Sequence, residues 1–360
     1  MEPSAPEWRR LQRSLLIVGV LAWDPSAHGS ECTLGPGPHA DRQVLHEGAL
    51  RSYSMIVPSG CDPARPFPLL VELHSWDVCP GPEGLAQFFA KQPFAEEQRI
   101  VLVRPVGSDG PPFGGAACGP SHCWSTGSVF DVLLCSTRPP PDDVAFLRAV
   151  VADVGGAVPI DERRIYAYGE SMGGGMAHRA ACGAPDLFAA VAATAFPLQE
   201  GRLPCAPDRP VSVLYLHGIE DNFVWYDRAA DLAAGIDRPC DNKVVRGDGV
   251  CDQGRAPASF ARWAELDGCL GEPVRTFAHG RTRCDRHMAC AGDVEVEFCS
   301  TDAGHGVYEN PDGLGRAYVW TFLFERTLPI PEPRSSGASQ AGALSLAVLA
   351  VLRRWRKAFR

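Results

Sequence analysis

Five residues, Gly169-Glu170-Ser171-Met172-Gly173, fit the pattern G-x-S-x-G, with Gly174 and Gly175 directly behind them. A serine in that pattern sits on a sharp strand-to-helix turn that exposes its hydroxyl as a nucleophile. The glycines on either side leave room where the chain passes close to itself. The flanking residues suit such a turn. Arg164-Ile165-Tyr166-Ala167-Tyr168 reads as a strand leading in, and Met176 to Cys182 reads as a helix leading out. A structural Gly-rich turn is the competing reading of the five residues alone.

A serine hydroxyl is a weak nucleophile at neutral pH, so it needs a base in reach and an acid to orient that base. After a serine on this kind of turn, the expected chain order is Asp or Glu, then His. The acid candidate is Asp221, in Leu216-His217-Gly218-Ile219-Glu220-Asp221, on a loop after a strand-like run; Glu220 is its rival. The base candidate is His305, between Gly304 and Gly306, in a loop before the last helical run. His74 and His217 both end strands and read as loop-ordering residues. Two N–H groups must meet the oxyanion that develops during acyl transfer. One is the backbone N–H of Met172. The other is that of Trp76, after Leu69–Leu73, with Ser75 as the alternative.

These residues need a scaffold that brings loop ends together. Strand candidates are Tyr53–Val57, Leu69–Leu73, Ile100–Val103, Arg164–Tyr168, Ala189–Ala193, Val211–Leu216, Val274–Ala278 and Val294–Phe298. Helix candidates are Asp142–Val154, Met172–Cys182, Asp227–Ala234, Pro257–Leu266 and Leu314–Glu325. Strands alternating with helices predict an α/β fold with a mostly parallel central sheet and helices on both faces. Pro105 to Pro141, rich in Gly and Pro and holding Cys118, Cys123 and Cys135, reads as a disulfide-stapled loop insertion.

The bulk composition is globular: 360 residues, 45% hydrophobic and 21% charged. The net charge is −9, and the basic C-terminal residues make the remaining body more acidic still. Such a body repels nucleic-acid phosphates, so no nucleic-acid partner is expected. Fourteen scattered cysteines read as a disulfide framework and hence an oxidising compartment, secreted or at the cell surface. Arg9, Arg10 and Arg13 precede a short apolar run, Ser14 to Trp23, and small residues near Ala27. Residues 1–30 therefore read as a signal peptide. Residues 31–328 read as one catalytic domain and 329–340 as a linker. Residues 341–360 are an apolar run followed by basic residues, a candidate sorting signal with transient membrane association. Twelve apolar residues reach only about 18 Å as a helix, short of a bilayer core of roughly 30 Å. No cofactor or metal is called for. Asp241, Asp248 and Asp252 lie in one acidic loop, but their spacing does not match an EF-hand.

Several ordered blocks carry a more specific likeness. They include Tyr53-Ser54-Met55-Ile56-Val57-Pro58, Pro68 to His74, Asp142 to Leu147, Ile160 to Tyr166, the serine turn, Pro185 to Val191, His217 to Asp221 and Gly304-His305-Gly306. With them, residues from about 50 to 326 resemble the secreted polyhydroxybutyrate depolymerase and feruloyl esterase family of α/β-hydrolases. The resemblance implies a secreted serine esterase that works through an acyl-enzyme, with Ser171, Asp221 and His305 on the family's triad positions. Its substrate would be a polyester or a plant cell-wall ester. Ser75 stands where the family usually has glycine. A catalytically silent binding protein and a secreted serine peptidase are the alternatives on the same scaffold. Cys182 with Cys205 and Cys240 with Cys251 are the expected bridges. Trp124 and Trp225 are the candidate substrate-binding aromatics, with Trp76, Phe223 and Tyr226 nearby.

Overall fold

Short apolar runs without alternation become strands covered on both faces. The computed structural model describes residues 31–76, 92–109, 122–128, 131, 140–227 and 256–329. The first strands, β1 (Gly37–His46) and β2 (Ala49–Val57), form an antiparallel hairpin. β3 (Phe67–Leu73) and β4 (Val101–Pro105) follow, then a small ribbon of β5 (Ser108–Asp109) and β6 (His122–Cys123). β7 (Ile160–Glu170), β8 (Ala190–Thr194) and β9 (Ser212–Gly218) come next. A second hairpin, β10 (Val274–His279) and β11 (Thr282–His287), precedes β12 (Val296–Thr301). The helices are α1 (Gln92–Gln98), α2 (Asp143–Ala157), α3 (Met172–Gly183), α4 (Ala256–Leu266) and α5 (Arg316–Phe324).

Ten strands form one sheet in the order β1-β2-β4-β3-β7-β8-β9-β12-β11-β10. The run from β4 to β12 is parallel throughout, and within this sheet the antiparallel pairings are the two marginal hairpins and their junctions with the run, β2 on β4 and β11 on β12. This is an α/β-hydrolase fold. Every residue of β3, β4, β8 and β9 is buried. Successive side chains go to opposite faces. Leu69 and Val71 join a core with Phe146 and Val150 of α2 and Met176 and Ala180 of α3. Leu70 joins the opposite core with Val319 and Phe322 of α5. At the start of α2, the Asp142 side chain accepts from the Ala145 N–H at 3.0 Å, closing an N-cap.

The parallel strands fall within a few residues of their expected ranges. β1 and β11 were not anticipated, because their exposure pattern alternates irregularly and β11 reads Thr-Arg-Cys-Asp-Arg-His. Marginal strands face solvent, so no apolar run marks them. The expected Cys182–Cys205 bridge is present. Cys32–Cys61, Cys269–Cys290 and Cys284–Cys299 join it. The signal peptide, the Asp227–Ala234 helix (but for its first residue), the Cys240–Cys251 bridge, most of the linker and the C-terminal tail lie outside the described residues. Among the described residues, no helix is long and apolar enough to cross a membrane.

Candidate active site

β7 ends at Glu170 and α3 begins at Met172, so Ser171 alone makes the turn. Its backbone has φ 54° and ψ −125°, a conformation that residues with a Cβ rarely adopt. Holding it costs on the order of 1–3 kcal/mol, offset by the surrounding packing. Two glycines make the turn sterically feasible. A Cβ on Gly169 would stand 2.0 Å from the Gly173 carbonyl oxygen, and one on Gly173 would stand 2.2 Å from that of Leu73. The Ser171 N–H donates to the Thr194 carbonyl at 2.9 Å, tying the turn to β8. The first N–H groups of α3, that of Met172 among them, have no partner within the helix and gather beside the serine. The positive end of the helix dipole adds to them.

The chain leaving β3 runs over this turn. The Ser75 hydroxyl donates to the Glu170 carbonyl at 3.0 Å, so the loop that ends in Trp76 is pinned to the residue before the serine. His74 braces the loop from behind. Its Nε2 accepts from the Gly107 N–H at 2.8 Å, so its proton lies on Nδ1, which donates to the Ser75 carbonyl at 2.8 Å. Burial pushes the His74 pKa down to about 4, so the ring is neutral near pH 7 and this tautomer persists.

Acid and base are brought together by the loops after β9 and β12. The Ile219 N–H donates to the Thr301 carbonyl at 2.9 Å, and the Glu220 N–H to that of Ala303 at 3.0 Å. His305 Nδ1 then lies 2.8 Å from Asp221 Oδ2. The carboxylate can only accept, so Nδ1 carries the proton and Nε2 is left to take one. The other oxygen, Oδ1, accepts from the Phe223 and Val224 N–H groups at 2.9 and 2.8 Å. Burial alone would raise the Asp221 pKa. Hydrogen bonds from His217 and His305 outweigh it and hold the carboxyl well below the usual range. The Asp221 side chain is fully enclosed, whereas that of His305 keeps 28% of its surface. β7, β9 and β12 run parallel in one sheet, so the serine turn, the Asp221 loop and the His305 loop all leave the same edge of it.

No protein-family model matches the chain. Curated relatives do. Feruloyl esterase B of Piromyces equi is 33% identical over 206 residues, covering 56% of this chain and 34% of the relative. A putative esterase, NocK, of Nocardia uniformis subsp. tsuyamanensis is 45% identical over 178 residues, covering 49% and 51%. A probable feruloyl esterase C of Aspergillus niger is 24% identical over 303 residues, covering 82% and 92%. The chain is thus similar in sequence to feruloyl esterases and to a putative esterase. It spans about a third of the first of these relatives and about half of the second.

The two tryptophans expected to meet substrate are both buried. Trp124 is wholly buried, and its indole N–H donates to the His74 carbonyl at 2.9 Å. Trp225 is 1% exposed. A ring with no accessible face has nothing to offer a substrate; Trp124 instead props the loop carrying Ser75 and Trp76. A half-buried aromatic beside His305 is Phe223, whose ring centroid lies 5.0 Å from that of His305. Its position two residues after Asp221 is the only sequence signal that pointed to it. Among the described residues one cluster has metal-like proximity, Cys284, Glu297 and Cys299. Its two sulfurs are joined to each other, so they present no thiolate to a metal.

Proposed function

We propose that the chain is a carboxylic-ester hydrolase using Ser171, His305 and Asp221 as a catalytic triad. One arrangement supports the reading: after the parallel strands β7, β9 and β12 of one sheet come a serine on a strained strand-to-helix turn and a histidine bonded to a buried carboxylate 84 residues before it in sequence. In the proposed reaction, His305 Nε2 takes the Ser171 proton as Oγ attacks the acyl carbonyl. Asp221 holds the ring and stabilises the imidazolium that forms. The N–H groups of Met172 and Trp76 receive the oxyanion. The intermediate collapses, His305 returns the proton to the leaving alkoxide, and an acyl-enzyme remains. Water, activated by the same histidine, releases the acid.

The names of the relatives support an ester of a hydroxycinnamic acid as the first substrate class to test. A hydrophobic polyester is the second. Phe223 beside His305 supplies an aromatic face on the side where the leaving alcohol is protonated. The disulfides support an extracellular or cell-surface location for a catalytic domain over residues 31–328. The test is turnover of p-nitrophenyl acetate, methyl ferulate and polyhydroxybutyrate by wild type and Ser171→Ala, with fluorophosphonate labelling in parallel. Loss of both turnover and labelling in the variant is expected. Retained turnover would sink the triad assignment. Absence of turnover and labelling in the wild type would favour a silent binding protein.

A further inference from the structure

Asp221 has a second histidine neighbour. His217 Nε2 lies 3.3 Å from Asp221 Oδ2, the same oxygen that accepts from His305. The same Nε2 is 2.7 Å from the Val224 carbonyl oxygen. Both neighbours are acceptors, so in the neutral ring the proton sits on Nε2 and Nδ1 is bare. The Tyr215 hydroxyl, 2.5 Å from Nδ1, must therefore donate to it. Nothing else about the ring is free to vary. It is 0% exposed, and the Tyr215 and Tyr226 rings stand edge-on to it at 5.7 and 5.9 Å. The Val224 peptide closes the clamp: its N–H donates to Asp221 Oδ1 while its carbonyl accepts from His217. A buried polar chain thus runs from Tyr215 through His217 to Asp221 and on to His305.

We infer that His217, with its tautomer set by Tyr215, is a positioning residue for the Asp221–His305 pair. The inference rests on the ester-hydrolase reading above. A carboxylate fixed only through Oδ1 can rotate its other oxygen away from His305. A second donor on Oδ2 stops that rotation and stabilises the anion before the imidazolium forms. His217 touches no reacting atom, so its effect falls on kcat and leaves substrate affinity alone.

The test uses the full chain, p-nitrophenyl acetate, and four variants: His217→Leu, His217→Gln, Tyr215→Phe, and His217→Gln combined with Tyr215→Phe. A charge-assisted hydrogen bond of ordinary strength corresponds to about 10- to 100-fold in rate. His217→Leu should lower kcat by that factor with KM within about threefold. His217→Gln keeps an N–H near the Nε2 position and should recover most of the loss. Tyr215→Phe alone should lower kcat by less. It should add nothing on top of His217→Gln, which has no Nδ1 to direct. Should His217→Leu fail to fold, the other three variants decide, because each keeps the volume of the site. Wild-type kcat in folded His217→Leu, or additive losses in the double variant, would overturn the inference. Ser171→Ala run alongside separates the two failures. If it is inactive while the His217 and Tyr215 variants match wild type, only the positioning role falls.

Discussion

Gly218, the last residue of β9, lies so close to Gly304 that a Cβ on it would stand 2.0 Å from the Gly304 carbonyl oxygen. The Ala303 carbonyl would be 2.4 Å away. This contact lets the acid loop and the base loop share one space. Both obstacles are backbone, so neither can rotate aside as a side chain could. Gly218→Ala should destabilise the fold by about 3 kcal/mol or more, the upper end of overpacking costs. Whatever folds should lose most of its esterase rate, because Asp221 and His305 are pushed apart. Urea unfolding together with kcat of the soluble fraction tests this; a stable, fully active variant would contradict it.

Asp221→Asn isolates charge from shape. The amide would turn an NH2 toward donors on His217 and His305, or force His305 into the wrong tautomer. The expected loss in kcat is about 10⁴-fold. The pH dependence of stability has a definite sign. Burial would raise the wild-type carboxyl, but hydrogen bonds from His217 and His305 lower it below its unfolded value. Its stabilisation is therefore complete above about pH 4, the unfolded value, and fades as pH falls through the lower folded value. Wild type should exceed Asp221→Asn in stability at pH 7, with the gap closing below about pH 4. A gap that widens in acid would contradict the assignment.

Ser75→Ala removes the hydroxyl that ties the Trp76 loop to Glu170. The hydrogen bond is worth about 1 kcal/mol of stability. Its larger consequence should be in rate, because the proposed oxyanion donor on that loop, the Trp76 N–H, would lose its register with the Met172 N–H. A fall in kcat of about tenfold with unchanged KM is expected, well short of the loss of a donor itself. Steady-state kinetics on p-nitrophenyl acetate reads it directly, and unchanged kcat would detach Ser75 from the site.

The Cys182–Cys205 bridge joins the end of α3 to a loop across 23 residues of sequence. Arg179, one turn earlier, donates to the Leu203 and Pro204 carbonyls at 3.0 and 3.1 Å, so the bridge and the guanidinium anchor one loop. Replacing both cysteines with alanine should cost about 2–4 kcal/mol. Activity per folded molecule should stay within about threefold, since Ser171 lies at the opposite end of the helix. Thermal unfolding alongside active-site titration with a fluorophosphonate checks both parts.

The sequence by itself determined the serine turn and the order Ser171, Asp221, His305. It also determined the parallel strands, because buried strands write themselves as apolar runs and tight turns as glycines. It could assign His217 to ordering a loop, but not to Asp221, since both strand end and ring proton depend on what the fold places opposite. The tryptophans show the same limit. Trp124 and Trp225 lie near the right loops in sequence, yet whether a ring faces solvent or core is set by elements far away along the chain. Only the tertiary structure decided which aromatic borders His305, and that Gly218 exists to let Gly304 pass. Those are facts of close approach between distant segments, and no local spacing encodes them.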